Sequence, residues 1–181
     1  MPRALAAFAA LALAGLLAGC SGGGGSGVPR PEIPVSMPQG LVDASDPEPI
    51  SDIAWRYGEA RWGRDGFGDP VIDAVLADGT PYRIEFYGCE EGRACRDIRF
   101  VAASDAEWSA EDIARWNTAR RFGKAALGQD GRARVEMNAV LQGGVTRQNL
   151  DALFDWWAVV LAAFAAGPAS SAPDRRTLFL S

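Results

Sequence analysis

"DPVIDAVLADGTPYRIEFYGCEEGRACRDIRFVA" (residues 69–102) has the clearest secondary-structure pattern in the chain. It holds three apolar runs separated by turn residues, and the dipeptide Asp78-Gly79 is typical of a tight hairpin turn. In the middle run the side chains alternate, with Tyr82, Ile84 and Phe86 on one face and Arg83, Glu85 and Tyr87 on the other. Strands joined by such short turns are antiparallel. The stretch therefore predicts an antiparallel sheet with one buried face and one wet face.

Further elements lie on both sides of this stretch. "EARWGR" (59–64) is a plausible additional strand, and "PISDIAWRYG" (49–58) before it has the apolar spacing of a short helix. A second helix is predicted from Ser109, a suitable N-cap with Asp112 at the capping-box position, and ends at Gly123. "FGKAALGQDGRARVEMNAVL" (122–141) is typical of another hairpin. The predicted class is α+β, an antiparallel sheet with three helices in the order α-βββ-α-ββ-α, or with four strands in the first group.

The third predicted helix begins after Thr146, a second N-cap, and ends at Gly167-Pro168. Its apolar stripe comprises Leu150, Leu153, Phe154, Trp157, Val160, Leu161 and Phe164. Trp156 and Trp157 are adjacent, so their side chains point about 100° apart. If Trp157 faces the core, Trp156 is exposed, but burial of both against the sheet is equally simple. Trp156 and Trp157 are the candidate binding surface.

Cys89 and Cys95 flank a predicted hairpin tip. In an exported chain, two cysteines so close in sequence are most simply a structural disulfide. The alternative is a redox-active pair, although the spacing is not C-x-x-C and the carboxylates of Glu90 and Glu91 disfavour a thiolate. Two thiolates without histidine leave zinc short of ligands, so we predict no metal site.

The N-terminus has the pattern of an export signal. Residues 1–19 carry Arg3, no acid and an apolar run too short for the roughly 20 residues of a spanning helix. "LAGC" (17–20) resembles the lipobox of bacterial lipoproteins, which implies that Cys20 is lipidated and is the first mature residue. Several acyl chains hold a protein on a bilayer without a transmembrane helix. Ser21, rather than Asp, follows the cysteine, so we expect an outer-membrane lipoprotein facing the periplasm; ordinary secretion is the alternative.

Composition divides the rest of the chain. Residues 20–49 are rich in Gly, Ser and Pro and are predicted to be a linker. Residues 50–166 are predicted to form the domain, and residues 167–181 a disordered tail.

Charge and residue usage exclude several functions. The chain has a formal net charge of −5 and no histidine, which argues against nucleic-acid binding and excludes Ser-His-Asp and Cys-His catalysis. Asp151 and Asp155 are one helical turn apart, but such a pair is more often a solvated face than an acid–base site. "GRDGFGD" (63–69) matches neither phosphate-loop nor dinucleotide spacing. We predict no catalytic residues and no cofactor.

Three stretches together resemble the YbjN family, described as bacterial sensory transduction regulators. They are "DPVIDAVLADGTPYRIEFYGC", "IARWNTARRFGKAAL" and "VEMNAVLQGGVTRQNLDALFDWW". The resemblance implies a fold like that of the type III secretion chaperones, which often pair as dimers. It brings no catalytic or ligand residues, and its motif positions are structural: Trp116, Asn117, Phe122, Gly123, Lys124 and Phe154 to Trp157.

We therefore expect a lipid-anchored envelope protein that is not an enzyme. Its domain is expected to bind an unidentified protein partner, or a second copy of itself as a homodimer. The alternatives are a structural envelope lipoprotein and, less favoured, a thiol–disulfide exchange enzyme using Cys89 and Cys95.

Overall fold

The computed structural model of the protein describes residues 40–168. Its elements, in chain order, are β1 (Leu41–Val42), α1 (Glu48–Tyr57), β2 (Gly58–Arg64), β3 (Pro70–Leu76), β4 (Pro81–Tyr87), β5 (Asp97–Ala103), α2 (Ala110–Ala119), β6 (Lys124–Leu127), β7 (Ala133–Val140), β8 (Val145–Thr146) and α3 (Arg147–Ala165). The predictions for the leader, Cys20 and the tail lie outside the described residues, as does most of the predicted linker.

Six strands form one antiparallel sheet in the order β2-β3-β4-β5-β7-β6. Residues 69–102 supply three of them, as predicted, and one row across the sheet runs Ile84, Phe100 and Met137. The α+β class is thus confirmed, with four strands between α1 and α2 rather than three. After α2 the chain enters the sheet at its edge as β6, and β7 then inserts between β6 and β5.

All three helices contribute to one core on one face of the sheet. Tyr82, Ile84 and Phe86 of β4 are buried in it, whereas Arg83 and Tyr87 of the same strand are exposed. The predicted alternation is therefore confirmed, because only one face of the sheet is covered within residues 40–168.

Aromatic rings fill the space between α3 and the sheet. The ring of Phe100 on β5 lies 5.1 Å from that of Phe154 and 5.5 Å from that of Trp157, centroid to centroid. Further along α3, the ring of Phe164 stacks on Trp108 at 4.8 Å and meets Trp116 edge-on at 5.4 Å. Such pairs contribute about 0.5–1.5 kcal/mol each beyond the area they bury, so they hold α3 against β5 and against α2 with the segment that precedes it.

The predicted helix starts are confirmed, and one predicted end is wrong. Ser109 and Asp112 form the complete capping box of α2, and Thr146 Oγ1 accepts a hydrogen bond from Asn149 N (3.1 Å). α2 stops at Ala119 rather than at Gly123, because Arg120 takes an extended conformation (φ −109°, ψ 132°). This earlier end lets Phe122 leave the helix and pack against Trp156.

Elements also occur before Ile50, the predicted start of the domain. β1 pairs with β8, Ala44 is fully buried and α1 begins at Glu48. The proline-rich composition of residues 40–49 suggests a linker, but contacts with distant residues hold this segment against the domain. The resemblance to type III secretion chaperones in overall arrangement stays a prediction.

Candidate functional site

The β4–β5 loop carries the predicted cysteine pair as a disulfide between Cys89 and Cys95. Inside it, Glu90 and Arg93 exchange two backbone hydrogen bonds, of 2.7 and 3.0 Å. The two residues between them, Glu91 (φ +51°) and Gly92 (φ +70°), have the positive φ angles that a type I′ turn requires. Cys95 is buried in the core cluster and Cys89 is half-buried against it. The disulfide therefore closes a compact turn and packs with the core, which fits a structural role.

Arg64 joins this disulfide loop to the neighbouring β2–β3 loop. Its Nη1 donates hydrogen bonds to the carbonyl oxygens of Gly68 (2.6 Å) and Gly92 (2.9 Å). In the β2–β3 loop, Asp65 Oδ1 accepts hydrogen bonds from the backbone N–H groups of Phe67 and Asp69. The glycine-rich stretch "GRDGFGD" is therefore the turn of a hairpin and has no helix N-terminus to offer a phosphate.

The structure separates the two adjacent tryptophans. Trp157 is fully buried and contacts the rings of Phe100 and Tyr82, so it is removed from the candidate binding surface. Trp156 is 37% exposed, and its ring lies 5.0 Å from that of Phe122. Of the two arrangements considered from the sequence, the structure has the one in which Trp157 is in the core and Trp156 is at the surface.

Trp156 belongs to an exposed apolar stripe on α3 that we call the α3 surface. Its members are Ala152, Trp156, Val159 and Ala162. Val159 is 53% exposed and did not emerge as a candidate from the sequence. One feature of the sequence does indicate exposed apolar residues on this helix. Residues 156–166 are apolar nearly all round, so some of their side chains have to face away from the sheet.

A cation lies beside the α3 surface. The guanidinium carbon of Arg121 is 5.4 Å from the centre of the Phe122 ring, and Phe122 packs on Trp156. Arg121 is exposed and forms no ion pair with the residues that the structure describes. The arrangement offers an apolar patch with the cation of Arg121 at its margin, and the exposed carboxylate of Asp155 also lies on this side of α3.

Asp151 and Asp155 are both used to hold α1 against α3. Asp151 forms an ion pair with Arg56, and Asp155 Oδ1 accepts a hydrogen bond of 2.6 Å from Tyr57 Oη. Burial, followed by this hydrogen bond, raises the pKa of Tyr57 above its ordinary range. Each carboxylate has its own partner on α1, so the two serve as helix–helix contacts.

The uncovered face of the sheet carries a small charge network around Arg99. Its guanidinium binds Glu85 (2.6 Å) and Glu136 (3.0 Å), and it lies over the ring of Tyr87 at 4.8 Å. Tyr87 Oη donates a hydrogen bond of 2.7 Å to Glu85. Burial and this hydrogen bond raise the pKa of Tyr87 to about 12. The charges and hydrogen-bonding groups of these side chains are paired with one another, so they link β4, β5 and β7 on this face.

Residues 40–168 show neither a metal site nor a membrane-spanning helix. No group of three or more Cys, Asp or Glu side chains there could hold a metal ion. In the same range, no helix has both the length and the apolar character needed to cross a bilayer.

Comparison with known proteins gives one match. Residues 56–167 match the model of the YbjN family, described as "Putative bacterial sensory transduction regulator". No curated protein and no solved structure matches the chain. The matched range runs from the end of α1 to the residue after α3 and its cap, and so includes the whole six-stranded sheet and the α3 surface.

Proposed function

This chain belongs to the YbjN family, whose description supports a regulatory or binding role, and we propose that it binds a protein partner at the α3 surface without catalysing a reaction. The partner that fits is a protein with an apolar face and a carboxylate able to meet Arg121. The domain would act from the envelope membrane, held there by lipid on Cys20.

The observation that carries the proposal is the exposure of Trp156 and Val159 on one stripe of α3. Tryptophan is among the residues that contribute most to protein–protein binding, because it buries a large area with few rotatable bonds. An apolar stripe that runs along a helix is also a common docking element for another helix or sheet.

A matched pair of substitutions tests the proposal. Val159→Glu places a charge on the α3 surface, whereas Val140→Glu places the same charge on the uncovered sheet face, where Val140 is 73% exposed. With the native lipobox kept, chemical crosslinking in intact cells and mass spectrometry should identify an enriched partner for the wild-type chain and for V140E. V159E should lose it. Equal recovery with both variants, or only abundant envelope neighbours from the wild-type chain, contradicts the proposal and favours a structural lipoprotein.

The anchor has a separate test. Cys20→Ala should abolish incorporation of labelled palmitate, because its thiol is the proposed acceptor. Cys89→Ser serves as the control and should leave the incorporation of palmitate unchanged. Palmitate incorporated into C20A as strongly as into the wild-type chain, or none in the wild-type chain, would contradict lipid anchoring.

A further inference from the structure

The two edges of the six-stranded sheet differ in how they are covered. At the β6 edge, Ala125 N donates a hydrogen bond of 2.8 Å to Asn117 Oδ1, and Asn117 Nδ2 donates one of 2.9 Å to the carbonyl oxygen of Ala125. Lys124 Nζ adds bonds to the carbonyl oxygens of Asn117 and Arg120. The α2 side of the molecule thus occupies the outward backbone groups of Ala125 in this four-residue edge strand.

The opposite edge, β2, lacks such a cover. Ala77 N donates to the carbonyl oxygen of Tyr57, and Asp65 N donates to that of Asp69, each at 2.9 Å. Hydrogen-bonded pairs alternate in an antiparallel ladder, so the odd-numbered residues of β2 bond to β3 and the even-numbered residues face outward. The outward groups belong to Gly58, Ala60, Trp62 and Arg64, and their backbone N–H and C=O groups bond to no other described residue.

Exposed aromatic side chains accompany this open edge. Trp62 on β2 is 54% exposed, and Trp55 on α1, which runs directly into β2, is 57% exposed. A row of unpaired backbone groups beside exposed aromatic rings is a template for an added strand.

We propose that β2 pairs antiparallel with β2 of a second copy of this chain, with Ala60 opposite Ala60. In this register each Glu59 lies directly opposite an Arg61 of the other copy, and each Trp62 lies opposite a Gly58, which has no side chain to obstruct the indole ring. Glu59 and Arg61 are both exposed on the uncovered face of the sheet in the single chain. Directly opposite residues that do not share hydrogen bonds have Cβ atoms about 4.5–5.5 Å apart, so two Glu–Arg pairs form.

The neighbouring registers lack this complementarity. Moving the pairing so that Ala60 faces Trp62 places Arg61 opposite Arg61, which repels. Placing Trp62 opposite Trp62 leaves Arg61 opposite Gly63 and Glu59 beyond the end of the strand. The charges of β2 therefore favour one register of self-pairing, and this inference does not depend on the role of the α3 surface.

Charge reversal tests both the pairing and its register. Two epitope-tagged copies of the full lipid-anchored chain are expressed together, and the second copy recovered with the first is measured. Glu59→Arg in both copies gives Arg–Arg pairs, and Arg61→Glu in both gives Glu–Glu pairs, so recovery should fall by about fivefold or more. E59R combined with R61E restores two opposite-charge pairs and should recover to within about twofold of the wild type.

Unfolding curves of each variant show whether the single copy still folds, because Glu59 and Arg61 lie on an exposed face. The combination of E59R with R61E also serves as a folding control. It contains the same two variants that should each pair poorly with themselves. Absence of a second copy with the wild-type chain would overturn the proposal. So would equal recovery in all combinations, or a mixed pair no better than either variant with itself.

Discussion

The side-chain amide of Asn117 binds both backbone groups of Ala125, with N···O distances of 2.8 and 2.9 Å. Asn117 is on α2 and Ala125 is on the outermost strand of the sheet. The amide occupies the place that a further strand would take at Ala125, so one residue both attaches α2 to the sheet and caps the edge at that position.

Replacing Asn117 by Ala should therefore weaken the fold and open the β6 edge. Ala125 is almost fully buried, and leaving its N–H and C=O groups unpaired should lower the free energy of unfolding by about 1–3 kcal/mol. Asn138→Ala, an exposed change on the uncovered sheet face, is the control and should cost less than about 0.5 kcal/mol. Chemical denaturation measures both, and equal stabilities would refute the role assigned to Asn117.

Gly123→Ala should be among the most damaging small substitutions in the domain. Gly123 has a φ of +70°, and an added Cβ would lie 2.4 Å from Val160 Cγ1 on α3. Gly131 has a similar φ of +77° with open space around it, so Gly131→Ala isolates the backbone cost of about 1 kcal/mol. For Gly123→Ala, the clash with Val160 should lower the free energy of unfolding by about 1–3 kcal/mol more. Equal losses in denaturation experiments would show that Val160 moves aside freely.

The tyrosines predict a defined response to alkaline pH. The chain has three, Tyr57, Tyr82 and Tyr87. Burial raises the pKa of Tyr82 to about 12, burial and the bond to Glu85 raise that of Tyr87 to about 12, and burial and the bond to Asp155 raise that of Tyr57. Phenolate absorbance of the folded protein should therefore appear only near pH 12, against about pH 10 in denaturant.

The same shifts fix the sign of the stability change. Between about pH 10 and pH 12 the unfolded chain has lost phenolic protons that the folded chain retains, so the free energy of unfolding falls as pH rises. Below about pH 10 this contribution is fully present. Phenolate that titrates near pH 10 in the folded protein would contradict the burial of Tyr82 and the hydrogen bonds of Tyr57 and Tyr87 to carboxylates.

Replacing both Cys89 and Cys95 by Ser separates a structural disulfide from thiol–disulfide exchange. The closed loop is short, so the loop-entropy model predicts a loss of only about 2 kcal/mol. The variant should fold, with a lower Tm, and should keep the crosslinked partner of the wild-type chain. A folded double variant that loses its biological activity while keeping its partner would instead favour the exchange alternative.

Local patterns in the sequence predict much of this architecture. The alternation around Ile84 predicts one buried sheet face, and Ser109 and Thr146 mark the helix starts, because these signals depend on neighbours in the chain. The insertion of β7 between β5 and β6 is not encoded locally, since strand order depends on which surfaces pack best. The early end of α2 and the strand pair that includes Leu41 likewise depend on contacts between distant residues.

The candidate surface was only partly predictable for the same reason. The 100° offset between Trp156 and Trp157 limits how both can be buried on one helix, but only the packed structure shows that Trp157 faces Phe100. The exposure of Val159 and the bonds between Asn117 and Ala125 depend on where α2 and α3 meet the sheet. Asn117 stood out in the sequence only as a motif position.

Binding at the α3 surface can be tested by site-specific photo-crosslinking in intact cells, with a photoreactive residue in place of Val159 of the lipid-anchored chain. Binding at the α3 surface predicts one discrete adduct with a different protein from position 159. The same residue at position 140, on the uncovered sheet face, should not form that adduct. No adduct at position 159, only adducts between copies of this chain, or the same adducts from both positions would contradict the binding of a different protein at the α3 surface.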